Sequence, residues 1–571
     1  MVIAAHKDVA MMKNSAGKLP LHISCSRPGR SSVTTELVRT LVETAPQACK
    51  VGLGIIEEDG TSVGELPLHV LLSNGGSGID IDMCGGLLLE SYPDAAKEKR
   101  NGSFPLELGL CAGAPDHFMS MMVDIFPSAA KSSVSHKSPS GYKYGTMVNW
   151  ACSLSKSVDL TMKLIRIYPE GCAKKDSYGN LPLHICCESS SQTSSQVILE
   201  LIRLHPAGLQ QQDKDGNLPI HSAVERGDII TVGVIEKMLE LNPGAMRVKD
   251  KQGNTPLHSA CECLKINLVA VLTAMLRAGP SAAKVKDRDG NLPLHCVCES
   301  RKLTGKIQSF ATDMLIDAYP GGLRVKDKQG NLPLHSAIER GNSLALNVLQ
   351  KMVQIFPDAC KATDKEKNTP LHSALKCRTK DLAPLVKLLL SADSTCVAVK
   401  TKDRDGQLPV HCTINMSKNI EQHDILCMLV EASPSCAKEV NPRDKKVLLQ
   451  WALDRNALQV VASIARAAAE TFEIKCCRVS SSSYPMFPLH YVCAHLPTVH
   501  IEVMQVVAKA SSSACVTKDR QGKIPLRILH EEGSRPELIA CVKKAMGPAA
   551  YNAIMFADGV RSEQVVVIGG Q

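Results

Sequence analysis

Aromatic side chains are scarce. Phe, Trp and Tyr make up 3% of the 571 residues, and only two of them are tryptophans. A core must therefore be built from Leu, Ile, Val, Ala, Met and Cys, and the stacking platforms that single-stranded nucleic acid needs are almost missing. No apolar run reaches the ~18 residues needed to cross a bilayer. The N-terminus has no long apolar stretch ending in a small-residue cleavage point, so it does not read as a secretory signal. The 23 cysteines are odd in number and follow no framework spacing, which excludes a disulfide scaffold and suits a reducing compartment, the cytoplasm or the nucleus. Catalytic signatures are thin as well. Gly52-Leu53-Gly54 lacks a third glycine, Gly305-Lys306 lacks the earlier glycine and the Ser/Thr of a phosphate loop, and H-E-x-x-H is absent.

What is present is a repeat. The phrase x-P-L-H, or a near copy, places a histidine at His22, His69, His184, His221, His258, His295, His335, His372, His411 and His490. From His184 to His372 the steps are 37, 37, 37, 40 and 37. A second marker keeps the same irregular step: Pro206, Pro243, Pro280, Pro320 and Pro357 are spaced 37, 37, 40 and 37. Two markers sharing one irregularity establish the repeat. Degenerate units fill the gaps, with Glu107 (unit near 104–107), Asn149 (146–151) and Gln450 (447–452) at the histidine position, and Arg527 closes a series of 14 units. The two tryptophans, Trp150 and Trp451, each follow a lost histidine.

Each unit reads as two helices and a turn. Val348, Leu349, Met352, Val353 and Phe356 recur at helical spacing, and Pro357 stops that helix because it has no N–H to donate. Lys326 to Asn331 reads KDKQGN, a turn in which Gly330 can take positive φ, and Pro333 fits the first turn of the next helix.

In the stretch Asp250 to Glu262, DKQGNTPLHSACE, the residues Asp250, Gly253, Thr255, Pro256, Leu257, His258, Ala260 and Glu262 fall into the pattern D-x-x-G-x-T-P-L-H-x-A-x-E. This resembles the ankyrin repeat, and the resemblance covers roughly residues 10 to 545. It implies an all-α, elongated α-solenoid of stacked helix pairs with short β-hairpin fingers. The period of 37 exceeds the family's ~33 residues, so about one extra helical turn per unit is expected, lengthening the helices. The Thr of T-P-L-H survives only at Thr146, Thr255 and Thr369, so most histidines need another partner than the family's threonine.

The histidine and cysteine columns invite a metal reading, which distance opposes. Neighbouring helices in a stack lie about 8–10 Å apart, whereas zinc needs ligands at about 2 Å from one ion. His184, His221, His258, His295, His335, His372 and His411 are accordingly read as the structural signature of the repeat, with no metal and no cofactor. Three residues after the histidine, Cys187, Cys261 and Cys298 alternate with Val224, Ile338, Leu375 and Ile414, which marks a buried apolar slot. The pairs Cys261/Cys263 and Cys296/Cys298 point to different helix faces.

These residues lead to a non-catalytic protein-interaction scaffold or adaptor. The resemblance implies contacts at the variable finger tips Lys214/Asp215, Lys251/Gln252, Arg288/Asp289, Lys328/Gln329 and Arg404/Asp405, and at the helix positions Glu225/Arg226 and Glu339/Arg340. The formal charge is +9, and fingers such as RVKDK (Arg247 to Lys251) are net positive, which would steer acidic partner proteins. The alternatives are an electrostatic binder of nucleic acid or acidic lipid, with nucleic acid disfavoured, and the regulatory part of an enzyme whose catalytic domain lies elsewhere. A monomer without a membrane span is expected, ordered over 1–545 with a poorly ordered tail at 546–571. Ser-rich insertions at Ser189 to Ser195 and Arg478 to Ser483 read as loops.

Overall fold

A computed structural model describes residues 7–26, 31–56, 62–73, 80–133, 145–153, 156–188, 195–225, 230–263, 267–300, 303, 305–339, 344–377, 382–416, 421–473, 477, 486–495, 499–531 and 535–557. Arg226, Arg340, the Ser-rich stretches 189–194 and 478–485, and the last residues of the tail lie outside these.

One regular unit shows how the sequence folds. Asp213 to Asn217 closes a tight turn in which the Asp213 N–H donates to the Asn217 carbonyl at 2.9 Å. The Asp213 carboxylate accepts the backbone N–H groups of Asp215 and Asn217, both at 2.8 Å. This carboxylate caps the turn from inside, the usual service of Asp at such a position. Pro219 then opens the helix Pro219–Glu225, where its missing N–H costs no hydrogen bond. The second helix, Val232–Leu241, packs Val234, Ile235, Met238 and Leu239 inward at helical spacing. This second helix has ten residues, and after it Pro243 opens a separate five-residue 3-10 turn, Pro243–Arg247. The closing proline thus starts an element as well as ending one. The unit of His335 repeats the pattern with Pro333–Glu339, Leu346–Ile355 and Pro357–Lys361.

The chain divides into two compact units, Met1–Arg288 and Asp289–Gln571. Each is a stack of these helix pairs. In the first, helices Pro182–Glu188, Pro219–Glu225 and Pro256–Cys263 pack in series. In the second, Pro293–Glu299, Pro333–Glu339 and Pro370–Lys376 do the same. The first unit also carries a two-stranded antiparallel hairpin, Leu53–Ile56 with Ser62–Glu65, where one finger is drawn out. The regular fingers, expected as short hairpins, are strandless tight turns, each closed by two backbone bonds such as Asp213 N–H to the Asn217 carbonyl and Gly216 N–H to the Asp213 carbonyl. The slot three residues after the histidine is apolar throughout: Cys187, Val224, Cys261, Cys298, Ile338, Leu375 and Ile414 are all buried. A further helix, Pro548–Ala557, lies beyond the last repeat. No described helix is long and apolar enough to cross a membrane.

Candidate functional site

The histidine column is structural, and its missing threonine is replaced by the backbone. His221 Nδ1 accepts the Leu218 N–H at 3.0 Å, and Nε2 donates across to the Asn254 carbonyl of the next turn at 3.4 Å. His335 does the same with Leu332 (3.2 Å) and Asn368 (3.3 Å). The N–H three residues earlier therefore serves where Leu stands in place of Thr. Where threonine survives, as at Thr369, its hydroxyl adds a contact of 2.9 Å to His372 Nδ1. This pattern needs a neutral imidazole, and burial holds His184 and His372 down at about 4.

Distance alone does not keep the columns from sharing an ion. In the second unit, His372, Asp403 and Cys412 present ligand atoms within 4.8 Å of one another, all three residues buried. The finger Asp, absent from a ladder of helices, closes the gap between rungs. All the same, two of the three donors are committed. His372 Nε2 meets the Gln407 carbonyl at 3.2 Å, and Asp403 accepts Gln407 N–H and the Lys376 ammonium, both at 2.8 Å.

The finger tips are knitted together by their backbones. In the first unit, Lys214, Lys251 and Arg288 donate their N–H groups to the carbonyls of Tyr178, Asp215 and Gln252, at 3.3, 2.9 and 3.3 Å. In the second, Lys328, Lys365 and Arg404 donate to Asp289, Gln329 and Glu366, at 2.8, 2.9 and 2.9 Å. One bond per unit joins each tip to the last. The side chains of Lys214, Asp215, Lys251, Gln252, Arg288, Asp289, Lys328, Gln329, Arg404 and Asp405 are left exposed. Two of them turn back on the protein: Lys214 reaches the Ser177 carbonyl, and Arg404 pairs with Glu366 at 2.9 Å.

Under the tips of the second unit lies a cavity of about 820 Å3, a size that encloses small ligands or short peptide segments. Its charged lining is Asp289, Glu299, Asp327, Glu339 and Lys376. The groove is acidic, although the fingers read as basic. The sequence signal was present in the recurring Glu four residues after the histidine: Glu188, Glu225, Glu262, Glu299 and Glu339. Three of these carboxylates are held by the serine that follows the next unit's histidine. Ser222 donates to Glu188 at 3.3 Å, Ser336 to Glu299 at 2.8 Å and Ser373 to Glu339 at 3.2 Å. Partial burial, followed by the neighbouring carboxylates Asp364, Glu299 and Asp327, lifts the Glu339 carboxyl above its ordinary value against the Ser373 bond. Glu225 is exposed at the matching place of the first unit.

One catalytic spelling does occur in the sequence. Gly60-Thr61-Ser62-Val63-Gly64 fits G-x-S-x-G, a pattern whose chemistry needs a strand-to-helix elbow. Ser62 instead begins the second strand of the hairpin, opposite Ile56.

No family model matches the chain, and no curated protein matches it. Among solved structures it is similar to "Crystal structure of the ankyrin repeat domain of Bcl-3: a unique member of the IkappaB protein family". The identity is 22%, the match covers 43% of this chain and 98% of that one, and the TM-score is 0.34. By the geometry of its own units, with a turn closed by Asp, a proline-started helix carrying the bridging histidine and a second helix packed on it, the chain is an array of helix-pair repeats that fits the ankyrin pattern of its sequence.

Proposed function

We propose that the chain is a non-catalytic interaction scaffold that holds partner proteins against its finger tips and the helix face beneath them. One observation carries this reading. The tips spend their backbone groups on one another and so present rows of exposed, variable side chains on a fixed support. A rigid row of that kind costs little ordering entropy on binding. Its variation from unit to unit, Lys/Asp at 214/215 against Lys/Gln at 251/252, supplies specificity without altering the support. The exposed Glu225 and Glu339 extend the surface onto the helices.

The test is cross-linking of the intact chain to its partners in cells, beside a variant carrying Lys251→Glu, Arg288→Glu and Lys328→Glu. Partner cross-links that map to these tips and disappear in the variant are expected. Cross-links confined to the outer helices, unchanged in the variant, would move the binding surface elsewhere.

A further inference from the structure

The second unit's own lysines indicate what its groove receives. The side chains four residues before and four residues after the histidine position can meet. Four repeats fill this place with a donor and an acceptor. Lys376 Nζ meets Asn368 Oδ1 at 2.6 Å as well as Asp403. Asn415 Nδ2 donates to Gln407 Oε1 at 2.9 Å, Lys446 pairs with Asp454 at 2.6 Å, and Lys523 pairs with Glu531. Three of the four use an ammonium, and it can come from either side of the pair.

The repeat of His335 has no ammonium at either position: like those of His184, His221, His258 and His295, it carries Asn before and Glu after the histidine. Its two positions are Asn331 and Glu339, and both line the cavity. Asn331 Nδ2 is spent on Asp327 Oδ2 at 3.2 Å, so its Oδ1 is the atom left over. That oxygen is buried without a hydrogen-bond partner, an arrangement that an incoming donor relieves. An orphaned acceptor and a carboxylate thus share a place where the following repeat carries a lysine.

We propose that this groove seats a basic peptide segment of a partner protein, one lysine or arginine side chain entering between Asn331 and Glu339 as Lys376 does one repeat on. The inference rests on the scaffold reading and names its partner chemistry for the second unit. The acidic lining attracts such a segment, and Asp289, Glu299 and Asp327 extend the attraction along the groove. Successive repeats lie about 8–10 Å apart, close to three residues of extended chain at about 3.3 Å each, so basic residues three apart match successive seats.

The probe is a fluorescent peptide repeating Lys-Gly-Ser, titrated into the intact chain and followed by anisotropy. A Glu-Gly-Ser peptide serves as the opposing arm. Glu339→Lys installs the ammonium that the next repeat already tolerates at the same position. Asn331→Lys installs it from the other side, as at Lys446 and Lys523. Each variant is expected to weaken lysine-peptide binding by about tenfold or more, one unit-charge contact of ordinary strength. Their melting curves report whether the fold is kept, and one folded variant is enough to decide. Unchanged affinity in a folded variant, or equal binding of the glutamate peptide, would overturn the proposal. If partners still cross-link to the tips while the lysine peptide fails to bind, only this inference falls. If tip cross-links are missing too, the scaffold reading falls with it.

Discussion

Asn149 does the work of the histidine it replaces by spanning from Thr146 to Lys174. Its Oδ1 accepts the Thr146 N–H at 3.0 Å and the Thr146 hydroxyl at 2.6 Å, and its Nδ2 donates to the Lys174 carbonyl at 3.3 Å. An amide offers the acceptor and donor of a neutral imidazole in one planar group. The unit that lost its proline and histidine therefore keeps its tie to the next turn. Asn149→Leu should cost about 1–3 kcal/mol, the price of stranding buried backbone groups, while Asn149→His should be nearly neutral. Urea midpoints of the two variants check this. Equal midpoints for wild type and Asn149→Leu would show that the span contributes nothing.

The histidine column makes stability depend on pH in a definite direction. Burial is the first cause of the lowered values at His22, His69, His184, His221, His335, His372 and His411. A depressed folded value means that the unfolded chain binds protons first as the pH drops. Stability is therefore full above the ordinary value of about 6.5 and falls as the pH goes down toward about 4, where His184 and His372 titrate when folded. His335→Asn, copying the substitution the chain makes at Asn149, should remove one proton from this dependence, about 1.4 kcal/mol per pH unit inside the window. Identical slopes for wild type and variant would mean that His335 is not protonated on unfolding.

Much of this was legible before any coordinates. The phase of His and Pro markers placed the helices, and the exchange of Cys187 with Val224 and Leu375 correctly marked a buried slot. Trp150 and Trp451 are each 5% exposed, which fits indoles filling the space of degenerate repeats. Arg455 stacks over the Trp451 ring at 4.5 Å. What could not be read was whatever depends on groups distant in sequence. The Nδ1 partner of most histidines in the column is a backbone N–H, invisible in side-chain patterns. The acidic groove arises because Glu299, Asp327 and Glu339 come from different elements, while the charge count followed fingers singly.

Glycine at position 253 answers to a neighbour as well as to its own φ. Gly253 has φ +86°, and a Cβ there would stand 2.5 Å from the Arg288 backbone nitrogen. The backbone angle alone is bearable for a side chain, since Lys367 holds φ 61° at the equivalent place. The close approach to Arg288 is what excludes a methyl, because that N–H is bonded to the Gln252 carbonyl. Gly253→Ala should therefore cost about 1–3 kcal/mol and speed hydrogen exchange at the Arg288 amide. Gly17→Ala, with φ +73° and open space around it, should cost only about 1 kcal/mol. Equal losses at both positions would place the whole effect in the backbone angle.

The cluster of His372, Asp403 and Cys412 is the strictest test of the structural reading. Three buried ligand types within 4.8 Å would suit zinc if their donors were available. Those of His372 and Asp403 are already in use. Lys376 brings a positive charge to 2.8 Å from the Asp403 carboxylate, and Asp403 is only 2% exposed. A dication entering there must displace that ammonium and give up the hydrogen bond of His372 to Gln407. Burial also pushes the Cys412 thiol up to about 11, so the thiolate a metal prefers is costly to form. The expected result is that protein purified without metal and exposed to zinc retains no equimolar ion after passage over a chelating column, and that chelators leave its melting temperature unchanged. Lys376→Met removes the competing charge and should raise zinc retention while lowering stability, because it leaves a buried carboxylate unpaired. Stoichiometric zinc in the wild-type protein, lost on Cys412→Ser, would reassign the cluster as a metal site and Lys376 as its gate.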